Sequence, residues 1–262
     1  MHFTKMEGLG NDYLYYYGRL DNPEAVSIKL SERHFGIGSD GIILIEPSET
    51  ADFRMRIFNA DGSEAKMCGN GIRCVGKYVY DKGHTDKTQI TVETLSGIKT
   101  LDLNVADGKV VSAKVNMGRA VVSPPVTLDV LGEKITTTPV STGNPHTVTF
   151  VDDAENAPLT TTGAALEKHP YFPEGVNAEF AQIIDRNTIR MRVWERGSGI
   201  TMACGTGSCA TVAAAVYAGY CGKNEEITVI LDGGKLVITV LDDDTVIMQG
   251  PAATVCECEV EM

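Results

Sequence analysis

The sequence predicts an α+β protein made of two homologous halves related by a pseudo-two-fold axis. Three observations carry that expectation. Period-2 alternation rich in β-branched residues recurs along the chain, while helical segments are few. A nineteen-residue pattern occurs twice, at 53–71 and at 189–207, with no gap in either copy. The length of 262 residues suits two modest domains, at roughly 100 to 200 residues per domain.

In chain order, a helix is expected from Pro23 behind an Asn22 cap, because proline is pre-organised for a first helical turn. A second follows Gly71. Gln89–Glu93 and Lys109–Val115 alternate as strands. The segment from Met117-Gly118 to Ser123-Pro124-Pro125 is the best boundary, which divides the chain into an N-terminal half, 1–118, and a C-terminal half, 119–250. A third helix is expected near 160–168, and the most apolar one follows Gly207. Ile227–Leu231 and Lys235–Leu241 are separated by Asp232-Gly233-Gly234 and followed by Asp242-Asp243-Asp244, so 227–250 reads as an antiparallel meander.

Composition narrows the function classes. Hydrophobic residues are 43% and charged residues 22%, ordinary for a compact globular protein. Lys and Arg number 23 against 35 Asp and Glu, a net charge of -12 that repels phosphate backbones and anionic membranes, so neither nucleic acid nor membrane is expected as a partner. The longest apolar stretch, around Ala210 to Ala218, is far shorter than a bilayer span. Met1 to Glu7 lack the apolar run of a signal peptide, and seven cysteines are an odd number suited to reduced thiols, so a cytoplasmic location is expected.

The two copies share Arg54/Arg190, Met55/Met191, Arg56/Arg192, Cys68/Cys204, Gly69/Gly205 and Gly71/Gly207 at a constant offset of 136. In each, an alternating strand ends in a polar residue, Asn59 or Glu195, and a Cys-Gly-x-Gly follows nine residues later at the start of a helix. A thiol there meets unpaired N–H groups and the positive end of the helix dipole, which favour its thiolate. The glycines let a substrate carboxylate approach those N–H groups. A lone Cys-Gly turn is ordinarily a small buried residue on a permissive backbone. Its duplication argues for two thiols flanking one ligand, a geometry that removes a proton from one face of a carbon and returns one to the other.

Other readings of the cysteines are weaker. Five residues separate Cys68 from Cys74 and four separate Cys204 from Cys209, so no C-x-x-C pair supports a metal site or a redox centre. Cys256 and Cys258 read as one face of a terminal strand, and Cys74, Cys209 and Cys221 as packing residues. Gly143-Asn144-Pro145-His146, Gly175-Val176-Asn177 and Glu195-Arg196 supply polar groups suited to a small zwitterion. Each is ordinary turn or surface chemistry when taken alone.

Together, Gly8-Leu9-Gly10-Asn11-Asp12, Phe58-Asn59-Ala60-Asp61-Gly62-Ser63-Glu64, Met67-Cys68-Gly69-Asn70-Gly71-Ile72-Arg73-Cys74, Gly143-Asn144-Pro145-His146 and Trp194-Glu195-Arg196-Gly197 with Ala203-Cys204-Gly205-Thr206-Gly207 resemble the diaminopimelate epimerase family, in order and across essentially the whole chain. The resemblance implies two domains, each a mostly antiparallel, barrel-like sheet around a central helix, with the last strand, 251–262, returning to the first. It implies interconversion of LL- and meso-2,6-diaminopimelate, a lysine and peptidoglycan precursor, by a homodimer that uses no pyridoxal phosphate, metal or other cofactor. Cys68 and Cys204 would be the catalytic acid and base. Asn11, Asn59, Gly69, Asn70, Asn144, Asn177, Glu195, Arg196, Gly205 and Thr206 would bind substrate, and His146 and Glu195 would tune the thiols. One departure is that Gly41 follows Asp40 where many members carry Gln. Another racemase of the same fold, or a non-catalytic amino-acid-binding protein, remains as an alternative.

Overall fold

The structure is a computed structural model that describes residues 1–261. The described residues divide into two compact units, one formed by Met1–Val115 together with 250–261, the other by Asn116–Gln249.

The first unit holds β1 (His2–Gly8), β2 (Asn11–Tyr17), α1 (Pro23–Ser31), β3 (Gly41–Glu46), β4 (Phe53–Asn59), β5 (Glu64–Ala65), α2 (Gly69–Asp81), β6 (Gln89–Thr94), β7 (Gly97–Ala106) and β8 (Lys109–Arg119). The β1–β2 hairpin turns at Leu9-Gly10, both at positive φ. β2 then runs parallel to β3, β3 antiparallel to β4, β4 parallel to β6, and β6, β7 and β8 continue antiparallel, with β5 added at the end of β4. The sheet curls around α2. A Cβ on Gly71 would lie 2.7 Å from Ile43 Cδ1 on β3, and one on Gly76 would lie 2.7 Å from Leu103 Cδ2 on β7, so these two glycines let the helix sit against strands from both sides of the sheet. Ile72, Val75 and Val79 are the buried apolar face that drives this packing.

The second unit holds β9 (Val121–Val122), β10 (Val126–Val130), β11 (Glu133–Ser141), β12 (Pro145–Phe150), α3 (Ala164–Glu167), β13 (Asn177–Asp185), β14 (Thr188–Glu195), β15 (Gly199–Ile200), α4 (Gly205–Tyr217), β16 (Ile227–Leu231), β17 (Gly234–Val240) and β18 (Thr245–Pro251). Its pairings repeat the first unit's. β11–β12 is antiparallel, β12–β13 parallel, β13–β14 antiparallel, β14–β16 parallel, and β16 to β18 form the expected antiparallel meander. Finally β19 (Ala253–Glu259) pairs antiparallel with β1.

The registers extend the repeat well beyond the nineteen residues visible in sequence. Leu14 faces Ile42 as Thr147 faces Ala178, offsets of 133 and 136, and Val92 faces Lys99 as Val229 faces Leu236, an offset of 137 for both. Loop insertions make the offset drift, so a comparison at one fixed spacing finds only the middle of the repeat.

Three local expectations are refined. Asn22 precedes α1 at φ 51 and its side chain makes no capping bond, so Pro23 alone sets the start. The third helix is a π-type turn, Leu159–Gly163, followed by the four residues of α3. The two repeated helices begin at Gly69 and Gly205, three residues earlier than expected, which makes each cysteine the N-cap itself. No helix among the described residues is long and apolar enough to cross a membrane.

Candidate active site

Cys68 and Cys204 are built alike. Both have extended backbone, φ -136 and -120, and each Sγ accepts the N–H three residues on, from Gly71 and Gly207, at 3.3 Å. Gly69 and Asn70, like Gly205 and Thr206, fill first-turn positions whose N–H groups have no acceptor within the helix. Each helix therefore presents a set of donors beside a thiol, an arrangement suited to a carboxylate.

In the first unit, the Cys68 thiol donates to Asn11 Oδ1 at 3.2 Å. Asn11 Nδ2 donates to Asp40 Oδ2 at 2.6 Å, and the same oxygen accepts the Asp12 N–H at 3.1 Å. Burial raises the Asp40 carboxyl above its ordinary range, against the lowering effect of these two bonds. Asn59, the last residue of β4, donates to Ser63 Oγ at 3.0 Å and not to Cys68. Gly41 faces Asn59 across β3–β4, and a Cβ there would lie 2.1 Å from the Phe58 carbonyl oxygen. The missing Gln is thus a matter of backbone packing: no side chain fits at 41 unless β4 moves.

In the second unit the sequence-predicted residues form connected hydrogen bonds. Cys204 Sγ lies 3.6 Å from Thr206 Oγ1, to which Asn144 Nδ2 donates at 3.3 Å. His146 Nε2 lies 3.0 Å from Asn144 Oδ1, and its Nδ1 lies 2.6 Å from Glu179 Oε1. Asn177 donates to the Pro145 carbonyl at 3.0 Å and accepts the Arg196 N–H at 2.9 Å, while Arg196 Nη1 donates to the Glu174 carbonyl at 2.8 Å. Thr201 donates its hydroxyl to Glu195.

The helix terminus does not lower the Cys204 thiol as expected. Burial, then the charges of Glu195 and Glu179, push it well above an ordinary thiol, and the bonds from Thr206 and Gly207 are too weak to reverse that. Cys204 is 5% exposed, whereas Cys68 is partly open to solvent.

Sequence reasoning missed Asp40 as the brace of Asn11 and Glu179 as the partner of His146. Glu179 is fully buried, at the offset of 136 from Ile43. A carboxylate where the sister strand is apolar was the available signal. The remaining cysteines pack as expected: Cys74, Cys209 and Cys221 are buried, and Cys256 and Cys258 share a face of β19 with sulfurs 3.6 Å apart. Among the described residues no group of three His, Cys, Asp or Glu side chains could hold a metal ion. A cavity of about 650 Å³ in the first unit, lined by Lys77, Lys82, Lys109 and Glu257 among others, lies by the C-terminal end of α2 and includes none of these site residues.

Comparison with known proteins fits this duplicated site. The diaminopimelate epimerase family profile matches residues 3–123 and 138–255. The diaminopimelate epimerase of Acetivibrio thermocellus is 50% identical over 281 aligned residues, covering 100% of this chain and 99% of that protein. That of Bacteroides thetaiotaomicron is 52% identical over 266, covering 99% and 97%. Among solved structures, a probable proline racemase from Agrobacterium radiobacter superposes with a TM-score of 0.79 at 16% identity, covering 100% and 93%. A phenazine biosynthesis protein of the PhzF family from Bacillus anthracis gives 0.76 at 17%, covering 100% and 99%. At such identities these two establish shared fold alone. With the family profile spanning both halves and about half of all residues identical along the full length, the chain belongs to the diaminopimelate epimerase family.

Proposed function

We propose that this protein inverts one α-carbon of LL-2,6-diaminopimelate to give the meso isomer, with Cys68 and Cys204 as acid and base and with no pyridoxal phosphate or metal. The observation that carries the reading is the N-cap thiol built twice, each sulfur 3.3 Å from a helical N–H. The name of the curated relatives at about 50% identity supports the substrate.

In this reading the substrate carboxylate accepts the first-turn N–H groups of Gly69-Asn70 and Gly205-Thr206. Those donors stabilise the charge that develops on the carboxylate when the α-proton leaves. Asn11, Asn59, Asn144, Asn177, Glu195 and Arg196 hold the remaining ammonium and carboxylate groups. Cys204, pushed toward its protonated form by burial and two carboxylates, is the acid, and Cys68 is the base once the proton it donates to Asn11 has left. Cys68 takes the α-proton from one face, Cys204 delivers its own to the other, and the enzyme is left with the opposite member protonated. The reverse reaction starts from that state. The pair titrates as a unit. His146 and Glu195 tune the thiols. We place the reaction in the cytoplasm, in the supply of lysine and peptidoglycan precursors, and assign it to a homodimer, which sedimentation equilibrium would test.

Incubating the purified protein with LL-diaminopimelate in deuterated water tests the function. Solvent deuterium should enter the α-carbon as meso isomer forms. Recovery of unlabelled LL substrate after long incubation would overturn the reading.

A further inference from the structure

His146 and Glu179 form a buried pair in the second unit, with Nδ1 and Oε1 2.6 Å apart and both side chains 0% exposed. One proton lies between those two atoms, whichever holds it. Glu179 Oε2 is also buried and has no hydrogen-bond partner. Such a pair costs desolvation that its mutual attraction offsets poorly, and a well-packed apolar replacement is often as stable.

The other half of the chain carries a different pair at the matching positions. The strand registers map Glu179 onto Ile43 at an offset of 136 and His146 onto Tyr13 at 133, both buried. The equivalence extends to the helix: a Cβ on Gly71 would lie 2.7 Å from Ile43 Cδ1, and one on Gly207 would lie 2.7 Å from Glu179 Oε1. The same fold, with the same helix-capping cysteine, closes this corner with Tyr13 and Ile43 in one unit and with a His–carboxylate pair in the other. The first unit builds the same corner without such a pair.

We propose that Glu179 is a positioning residue, retained to hold the His146 ring in one orientation with Nε2 against Asn144, and so to set the Asn144 amide beside Thr206 and Cys204. This rests on the function proposed above. With Nδ1 tied to Glu179, the ring cannot turn over without leaving a second carboxylate oxygen orphaned. Asn144 then keeps its Oδ1 toward His146 and its Nδ2 toward Thr206 Oγ1, at 3.0 and 3.3 Å. The groups facing Glu179 are His146 from β12, Cys204 at the start of α4 and Glu195 from β14, so a change of charge at 179 is also felt at the Cys204 sulfur.

The test uses the full-length protein and three variants: Glu179→Gln, which keeps shape; Glu179→Ile; and the double variant His146→Tyr with Glu179→Ile, which rebuilds the sister corner. Melting temperature is measured beside kcat and KM for LL-diaminopimelate across pH. All three should fold, with melting temperatures near or above the parent's. Glu179→Gln should lower kcat about 10-fold or more while KM moves about 3-fold or less. The pH profile of its kcat should differ from the parent's, because the proton shared by His146 and Glu179 is lost beside Cys204. Glu179→Gln with the parent's kcat and pH profile overturns the proposal, as does a Glu179→Gln protein that fails to fold or melts far below the parent, since the pair is then structural. If only the Ile variants misfold, the Gln kinetics decide. A parent with no epimerase activity would instead refute the function itself, which separates the two failures.

Discussion

The Asp40 carboxylate accepts the Asn11 amide at 2.6 Å, and this turns the Asn11 carbonyl oxygen to Cys68, 3.2 Å from the sulfur. Asp40 precedes β3 and Asn11 opens β2, so the parallel β2–β3 pairing sets their approach. Asp40→Ala would free the amide to rotate and leave the thiol without a fixed partner. We expect kcat/KM to fall about 10-fold with little change in melting temperature, because the lost bond orients and does not pack. Steady-state kinetics beside a thermal melt would check this, and an unchanged kcat/KM would show that Asn11 needs no brace.

Cys68→Ala and Cys204→Ala should each nearly abolish epimerisation, since either direction uses both residues. The serine variants keep a proton donor but lose a good base, because a hydroxyl is hardly ionised at neutral pH. Each should still eliminate a leaving group from a β-substituted analogue of one configuration, a reaction that needs only the surviving thiolate. The two variants should prefer opposite configurations. Measured elimination rates favouring the same isomer in both would exclude a two-base mechanism.

Placing at position 41 the Gln that the family resemblance leads us to expect should not improve this protein. A Cβ at Gly41 would lie 2.1 Å from the Phe58 carbonyl, so Gly41→Gln must displace β4 and Asn59 with it. We expect a loss of about 2 kcal/mol or more in unfolding free energy, on the order of other strained or overpacked backbone sites. A urea midpoint equal to the parent's would show that β4 yields freely.

Burial pushes the Cys74 thiol up to about 12. A folded-state value above the unfolded one means that its contribution is fully present below about pH 9 and is lost as pH rises toward 12. Once unfolded chains ionise, that loss is about 1.4 kcal/mol per pH unit. Cys74→Ala should therefore flatten the decline in stability above pH 9 by about that slope. Urea unfolding at several alkaline pH values tests it, and parallel declines for parent and variant would contradict it.

Alternation and β-branching made the strands legible in sequence, and the repeated Cys-Gly-x-Gly made both helix starts legible to within three residues, because these patterns are local. The α+β class followed from them. The extent of the repeat did not, since loop insertions shift its offset from 133 to 137 and only strand pairing restores the match. The residue pattern likewise gave no sign that β19 would pair with β1, where His2 meets Glu257 across 255 residues of chain. The Cys204 thiol shows the division most sharply. Its position at a helix terminus is a local property and argues for a lowered value. Its burial and its neighbours Glu179 and Glu195 come from strands 25 and 9 residues earlier in the chain, and together they raise it. A fixed spacing can carry a motif, but the electrostatic environment of a sulfur is a sum over everything folded around it, and only the tertiary structure assembles that sum.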